Sequence, residues 1–111
     1  MARLGACTVR PLSDHDWNTA LCWNTVVPSE IRGALFAREI DTDEVLSRLS
    51  VPVLVSHGLA DAIVLPSMGE HVLEVCGTAR ASWYEDIGHL PFVEDADRFD
   101  RELAEFAGHV E

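Results

Sequence analysis

The chain has 111 residues, 48% hydrophobic and 24% charged, which bounds it to one small globular domain or to a piece of a larger one rather than a disordered polypeptide. Nineteen acids stand against eight basic residues, all of them arginine, for a formal net charge of -11. Such a surface repels a phosphate backbone and argues against nucleic-acid binding. No apolar run approaches the ~18 residues of a membrane span, and Met1 to Leu12 lacks the continuous apolar core of a signal peptide. Cys7, Cys22 and Cys76 form no CxxC pair, a usage that suits a reducing, cytoplasmic setting with the thiols buried as small apolar groups.

Residues 1–50 read as three short helices with polar joints. Ser13 precedes Trp17, Ala20 and Leu21 as an N-cap precedes an apolar stripe, with Asp16 three residues on. Pro28 suits the first turn of a second helix whose Ile31, Ala34 and Leu35 share a face. Asp41 and Glu44 resemble a capping box opening a third, with Val45, Leu46 and Leu49 as its buried side.

Residues 51–111 alternate strand, helix, strand, helix. Val51 to Ser56 is a short, β-branched apolar run ending at His57-Gly58, which predicts a parallel strand buried on both faces; Pro52 belongs at its start, where no ladder donor is needed. Ser67 to Glu70 has the S-x-x-E spacing of a capping box, predicting a helix that buries Met68, Val72 and Val75 or Cys76 and stops at Gly77. Ala81 to Ile87 reads as the second strand. Asp95 then reads as the N-cap of a last helix, with Phe99, Leu103 and Phe106 on one face and Gly108 just past its end. Alternation of this kind predicts an α/β fold with parallel strands, yet a parallel sheet usually has about four to six strands, so two look like the end of a larger domain.

Two loops follow the strands, His57-Gly58-Leu59-Ala60-Asp61 and Asp86-Ile87-Gly88-His89-Leu90-Pro91. Open parallel sheets place their ligand sites beyond the carboxyl ends of the strands, where both loops lie. A carboxylate on one strand end and an imidazole on the next can meet, the acid fixing the ring's tautomer and stabilising its charged form.

The stretch VPVLVSHGLADAIVLP, followed by WYEDIGHLPFVEDADRFDRELAEF, resembles the C-terminal end of an α/β-hydrolase. The resemblance spans about residues 50–108. It implies a partial α/β-hydrolase fold, with 1–50 a helical lid-like segment and 51–111 the C-terminal βαβα part. By position Asp61 resembles the triad acid and His89 the base, and acid before base is also the family's chain order. The upstream ALCWNTVVPSEIRGALFARE resembles the helical lid of lidded esterases and cofactor-free haloperoxidase-like members. The nucleophile elbow G-x-S-x-G is absent: Leu65-Pro66-Ser67-Met68-Gly69 lacks the first glycine, and Ser67 reads better as a helix cap. The resemblance therefore implies a hydrolase of carboxylic esters or related acyl bonds, in which this chain supplies acid and base but is inactive alone.

Plainer readings stand beside these. Asp61 could be an ordinary turn acid and His89 a loop histidine bonded to backbone. His57 resembles a residue the family uses structurally, and with Asp61 it has metal-ligand spacing but no third ligand in view, so no metal and no cofactor are expected. His15, His71 and His109 read as exposed helix positions. Glu85 and Glu94 read as solvated carboxylates, Glu94 also being able to cap the last helix. The expected partners are a small-molecule substrate and either the missing N-terminal hydrolase part or a second copy of the chain, because the apolar strand has too little cover. The alternative function is a non-catalytic α/β module that binds a partner chain through its strand edge or helical half.

Overall fold

The computed structural model describes residues 4–109. After a 3-10 turn at Leu4–Ala6 come three helices, α1 (Asp14–Val26), α2 (Ser29–Phe36) and α3 (Asp43–Ser47). Ser13 caps α1 through its side chain, which accepts from the Asp16 amide at 3.1 Å and donates to the Asp16 carboxylate at 2.6 Å. Pro28 stands at the N-cap of α2, one position before the first turn. Asp41 does not close a capping box on α3; its carboxylate accepts from the Asp43 amide, and Thr42 takes the N-cap without a side-chain bond. The apolar face expected on α2 is not buried: Ile31 and Leu35 lie exposed. Arg32 instead turns back to cap the end of α1, donating to the carbonyls of Asn24 at 2.6 Å and Val27 at 2.8 Å.

β1 (Val53–Gly58) and β2 (Ala79–Tyr84) form a two-stranded parallel sheet, in register from Val53 opposite Ala79 to Gly58 opposite Tyr84. α4 (Pro66–Val75) makes the crossover, and the short α5 (Pro91–Glu94) and long α6 (Ala96–Gly108) follow β2. Pro52 lies just ahead of β1, where its missing N–H costs nothing. The strand expected to be buried on both faces is only half-buried from Val53 to Val55, since β2 is its one neighbour in the sheet.

Several expected boundaries move: β1 starts at Val53 rather than Val51, β2 at Ala79 rather than Ala81, and Gly108 lies inside α6 rather than past its end. α4 opens at Pro66 with Leu65 as its N-cap, so Ser67 is not a cap: a proline at the first helical position is preset in φ and needs no amide partner. Met68 is exposed, while Val72 and Val75 are half-buried and Cys76 is buried. β2 ends at Tyr84 rather than Ile87, because Asp86 adopts a left-handed φ of 55° and turns the chain out of the sheet. Ile87 is buried all the same, beneath the loops, and with Tyr84 and Cys76 it forms the fully buried core. Cys22, expected buried, is exposed, whereas Cys7 is half-buried.

α6 is tied to β2 by a polar cluster. The Glu102 carboxylate accepts from Ser82 Oγ at 2.5 Å, Tyr84 Oη at 2.7 Å and Arg98 Nε at 2.7 Å, while the Arg98 guanidinium lies 4.0 Å over the Tyr84 ring. Burial opposes ionisation of Glu102, but these three hydrogen bonds and the arginine's charge outweigh it and hold its pKa at about 2.

Candidate active site

The strand ends continue into loops that stay bonded to each other. Beyond the ladder, the Leu59 amide donates to the Tyr84 carbonyl at 2.9 Å and the Ala60 amide to the Ile87 carbonyl at 3.0 Å. Gly58 permits this closeness: a Cβ there would lie 2.0 Å from the Gly88 carbonyl oxygen and 2.3 Å from that of Ile87. The register of the sheet thus brings the Asp61 loop and the His89 loop side by side.

His89 Nδ1 donates to Asp61 Oδ2 at 2.9 Å, a charge-assisted geometry. The other carboxylate oxygen, Oδ1, accepts from the amides of Ile63 at 2.8 Å and Val64 at 2.9 Å, closing a tight turn that aims Oδ2 at the ring. The Asp61 side chain is only 4% exposed. Burial pushes its pKa up, but the bond from His89, the two backbone amides and the His89 charge prevail, leaving it below the usual carboxylate value. Asp61 is therefore both the turn acid of the plainer reading and the partner of His89, one oxygen serving each.

His57 also approaches this carboxylate, with Nε2 3.6 Å from Asp61 Oδ2, but donates to the Val64 carbonyl at 2.9 Å. It braces the acid loop and stands over Trp83, ring centroids 5.9 Å apart. Among the described residues no group of three or more His, Cys, Asp or Glu could hold a metal ion. His71, read as a simple exposed position, is half-exposed and bonds Asp43 at 2.8 Å, linking α4 to α3. Ser67 lies exposed in the first turn of α4.

His89 Nε2 has no hydrogen-bond partner among the described residues, and the side chain is 34% exposed. The ring lines a cavity of about 790 Å³ roofed by Ala20 and Trp23 of α1 and Phe36 at the end of α2, with Ile63, Phe92 and Val93 beside the histidine. Helices α1 and α2 and the strand-end loops therefore line one largely apolar, partly open space, with an imidazole on its wall.

Glu94 corrects the sequence reading most sharply. It is neither solvated nor a helix cap but 8% exposed, and its carboxylate accepts three backbone amides. Oε1 takes Gly88 at 2.8 Å, and Oε2 takes Val9 at 2.7 Å and Arg10 at 2.8 Å. Its sequence signal is that the family resemblance includes an acidic residue shortly after the Gly88-His89 pair; Glu94 stands five residues after His89, at the end of α5.

No protein-family profile matches the chain. A pimeloyl-[acyl-carrier protein] methyl ester esterase of Neisseria meningitidis is 37% identical over 73 residues, which is 65% of this chain and 28% of that protein. Its counterpart from Vibrio cholerae is 28% identical over 79 residues, 71% of this chain and 31% of that protein. Among solved structures, a Burkholderia cenocepacia protein assigned as an aryl esterase superposes over 98% of this chain and 40% of its own, with a TM-score of 0.89 and 27% identity. An esterase from a Rhodococcus species is 41% identical, with a TM-score of 0.70, over 73% of this chain and 30% of its own. Fold and relatives together make the chain a partial α/β-hydrolase, corresponding to the C-terminal part of such proteins. It spans less than a third of the length of the two curated relatives, both of which are esterases.

Proposed function

We propose that the chain supplies the acid and the base of an α/β-hydrolase that cleaves carboxylic esters with an apolar acyl or alkoxy part. The observation that carries this reading is the 2.9 Å bond from His89 Nδ1 to the buried Asp61 carboxylate, with Nε2 left without a partner among the described residues beside an apolar cavity. In this role Nε2 takes the proton of an attacking hydroxyl and returns it to the leaving alcohol, while Asp61 holds the ring and stabilises the imidazolium. The nucleophile and oxyanion hole come from outside these 111 residues, and the unpaired edge of β1 is where further strands of such a sheet would join. The esterase names of the relatives support the ester class.

The test is complementation. Mixed with an N-terminal hydrolase polypeptide carrying a G-x-S-x-G elbow, the chain is expected to hydrolyse p-nitrophenyl esters. His89→Ala is expected to lower turnover by roughly 10³-fold or more. The chain alone is expected to stay at background, because an oriented base without nucleophile or oxyanion hole supplies little. Complemented activity indifferent to His89→Ala would overturn the assignment.

A further inference from the structure

Nothing in an acid–base pair explains why a carboxylate should be buried one turn beyond the histidine. Glu94 ends α5, and its oxygens face in two directions. Oε1 accepts the amide of Gly88, the residue before His89, and Oε2 accepts the consecutive amides of Val9 and Arg10, some eighty-five residues earlier in the chain. Two further bonds run alongside: the His89 amide donates to the Cys7 carbonyl at 2.6 Å, and Arg10 Nη1 to the Glu94 carbonyl at 2.9 Å. Gly88 has no room for a side chain in this seam, since a Cβ would lie 2.6 Å from the Cys7 carbonyl oxygen and 3.1 Å from Glu94 Oε1.

We propose that Glu94 is the positioning residue of the base: its buried carboxylate clamps the Gly88 peptide to the Val9–Arg10 segment and so holds the His89 ring against Asp61. The inference rests on the assignment of Asp61 and His89 as acid and base. An ionised carboxylate suits the task because it is acceptor-only, and all three groups it meets are donors. A glutamine has one acceptor oxygen, and its NH₂ would have to face an amide N–H on one side of the clamp. The side that loses its acceptor leaves a buried amide unpaired. The titratable and charged groups that share the cavity with His89 are Cys7, Asp16 and Arg32, and Asp61 from the β1–α4 loop bonds its ring. His57 Nε2 lies 3.6 Å from the same Asp61 oxygen, and Glu94 accepts the Gly88 amide.

The test is NMR of the His89 Nδ1 proton, which is bonded to Asp61, in the 111-residue chain well below its melting temperature. E94Q is expected to move that proton upfield or broaden it beyond detection, and to speed amide exchange at Gly88 or at Val9 and Arg10 by about tenfold or more. Ser82→Ala, which loosens α6 on β2, is expected to lower the melting temperature without moving His89. This separates positioning from general destabilisation. Asp61→Asn serves as the reference, with an expected loss or upfield movement of the Nδ1 proton at least as large as that of E94Q. If Asp61→Asn moves His89 and E94Q does not, the clamp is refuted while the acid–base pair survives. If Asp61→Asn leaves His89 unmoved, the pair itself is wrong and the role of Glu94 goes with it. Should E94Q fail to fold, exchange in the unmutated chain decides: matched protection at Gly88, Val9 and Arg10 supports the clamp, and exchange at Gly88 as fast as an exposed loop overturns it.

Discussion

Gly58→Ala is the sharpest probe of how the sheet positions the pair. An added Cβ would sit 2.0 Å from the Gly88 carbonyl oxygen, 2.3 Å from the Ile87 carbonyl oxygen and 2.8 Å from the Ile87 carbonyl carbon. All three are backbone atoms, so no side-chain rotation relieves the overlap. Restoring ordinary contact near 3.4 Å requires the Gly88–His89 peptide to retreat by roughly 1.4 Å and the Ile87–Gly88 peptide by roughly 1.1 Å. His89 follows directly and must move with them, stretching a bond that is now 2.9 Å past the limit of hydrogen bonding. The Ala60-to-Ile87 bond would be strained by the same shift. Overpacking of this kind costs about 1–3 kcal/mol, or more where backbone must yield, and each kcal/mol is worth about 4–8 °C in a domain near this size. The assay pairs thermal melting by circular dichroism with the NMR signal of the His89 Nδ1 proton. The expected result is a melting point lower by about 4 °C or more and loss or marked upfield movement of that proton. Gly33→Ala is the control, because nothing lies within 4 Å of a Cβ there and a helix interior gains up to about 1 kcal/mol from the change. A Gly58→Ala chain that melts like the original with its His89 proton unmoved would refute the contact between these loops.

Glu102 predicts the acid limb of stability. Its folded pKa of about 2 lies below the ordinary 4.5, so its contribution is full above about 4.5 and is lost as the pH falls through 2; the melting-point gap between the chain and Glu102→Gln should close between pH 5 and 2, and a constant gap would contradict the cluster. His71 has the opposite sign. The Asp43 hydrogen bond and charge raise its pKa above 6.5, so the pair contributes fully below 6.5 and loses its charge as the pH rises through the folded value; a destabilisation by Asp43→Asn should be present at pH 5.5 and gone by pH 9. Ser67→Ala should change the melting temperature by less than about 0.5 kcal/mol equivalent, since Ser67 is exposed and caps nothing; a large loss would mean that the start of α4 is misplaced.

Local chemistry made much of the chain readable as sequence. Ser13 could announce α1 because a cap and its amide lie three residues apart. The β-branched run before Gly58 announced β1, and the placement of Asp61 and His89 beyond strand ends announced two loops on one edge of a sheet. Ser67 misled because a capping box and a proline-led first turn compete within the same four residues, and the proline's preset backbone prevailed. Ile87 misled because an apolar residue after a strand looks like more strand, whereas only the parallel register decides where pairing stops. Tertiary structure alone decided the rest. The 2.9 Å approach of His89 to Asp61 depends on Gly58 letting two backbones meet, and the burial of Glu94 depends on amides more than eighty residues away. A carboxylate at the end of a four-residue helix carries no local mark of being buried. Its partners are backbone N–H groups, which every residue except proline possesses, so only the folded chain could single out those of Val9, Arg10 and Gly88.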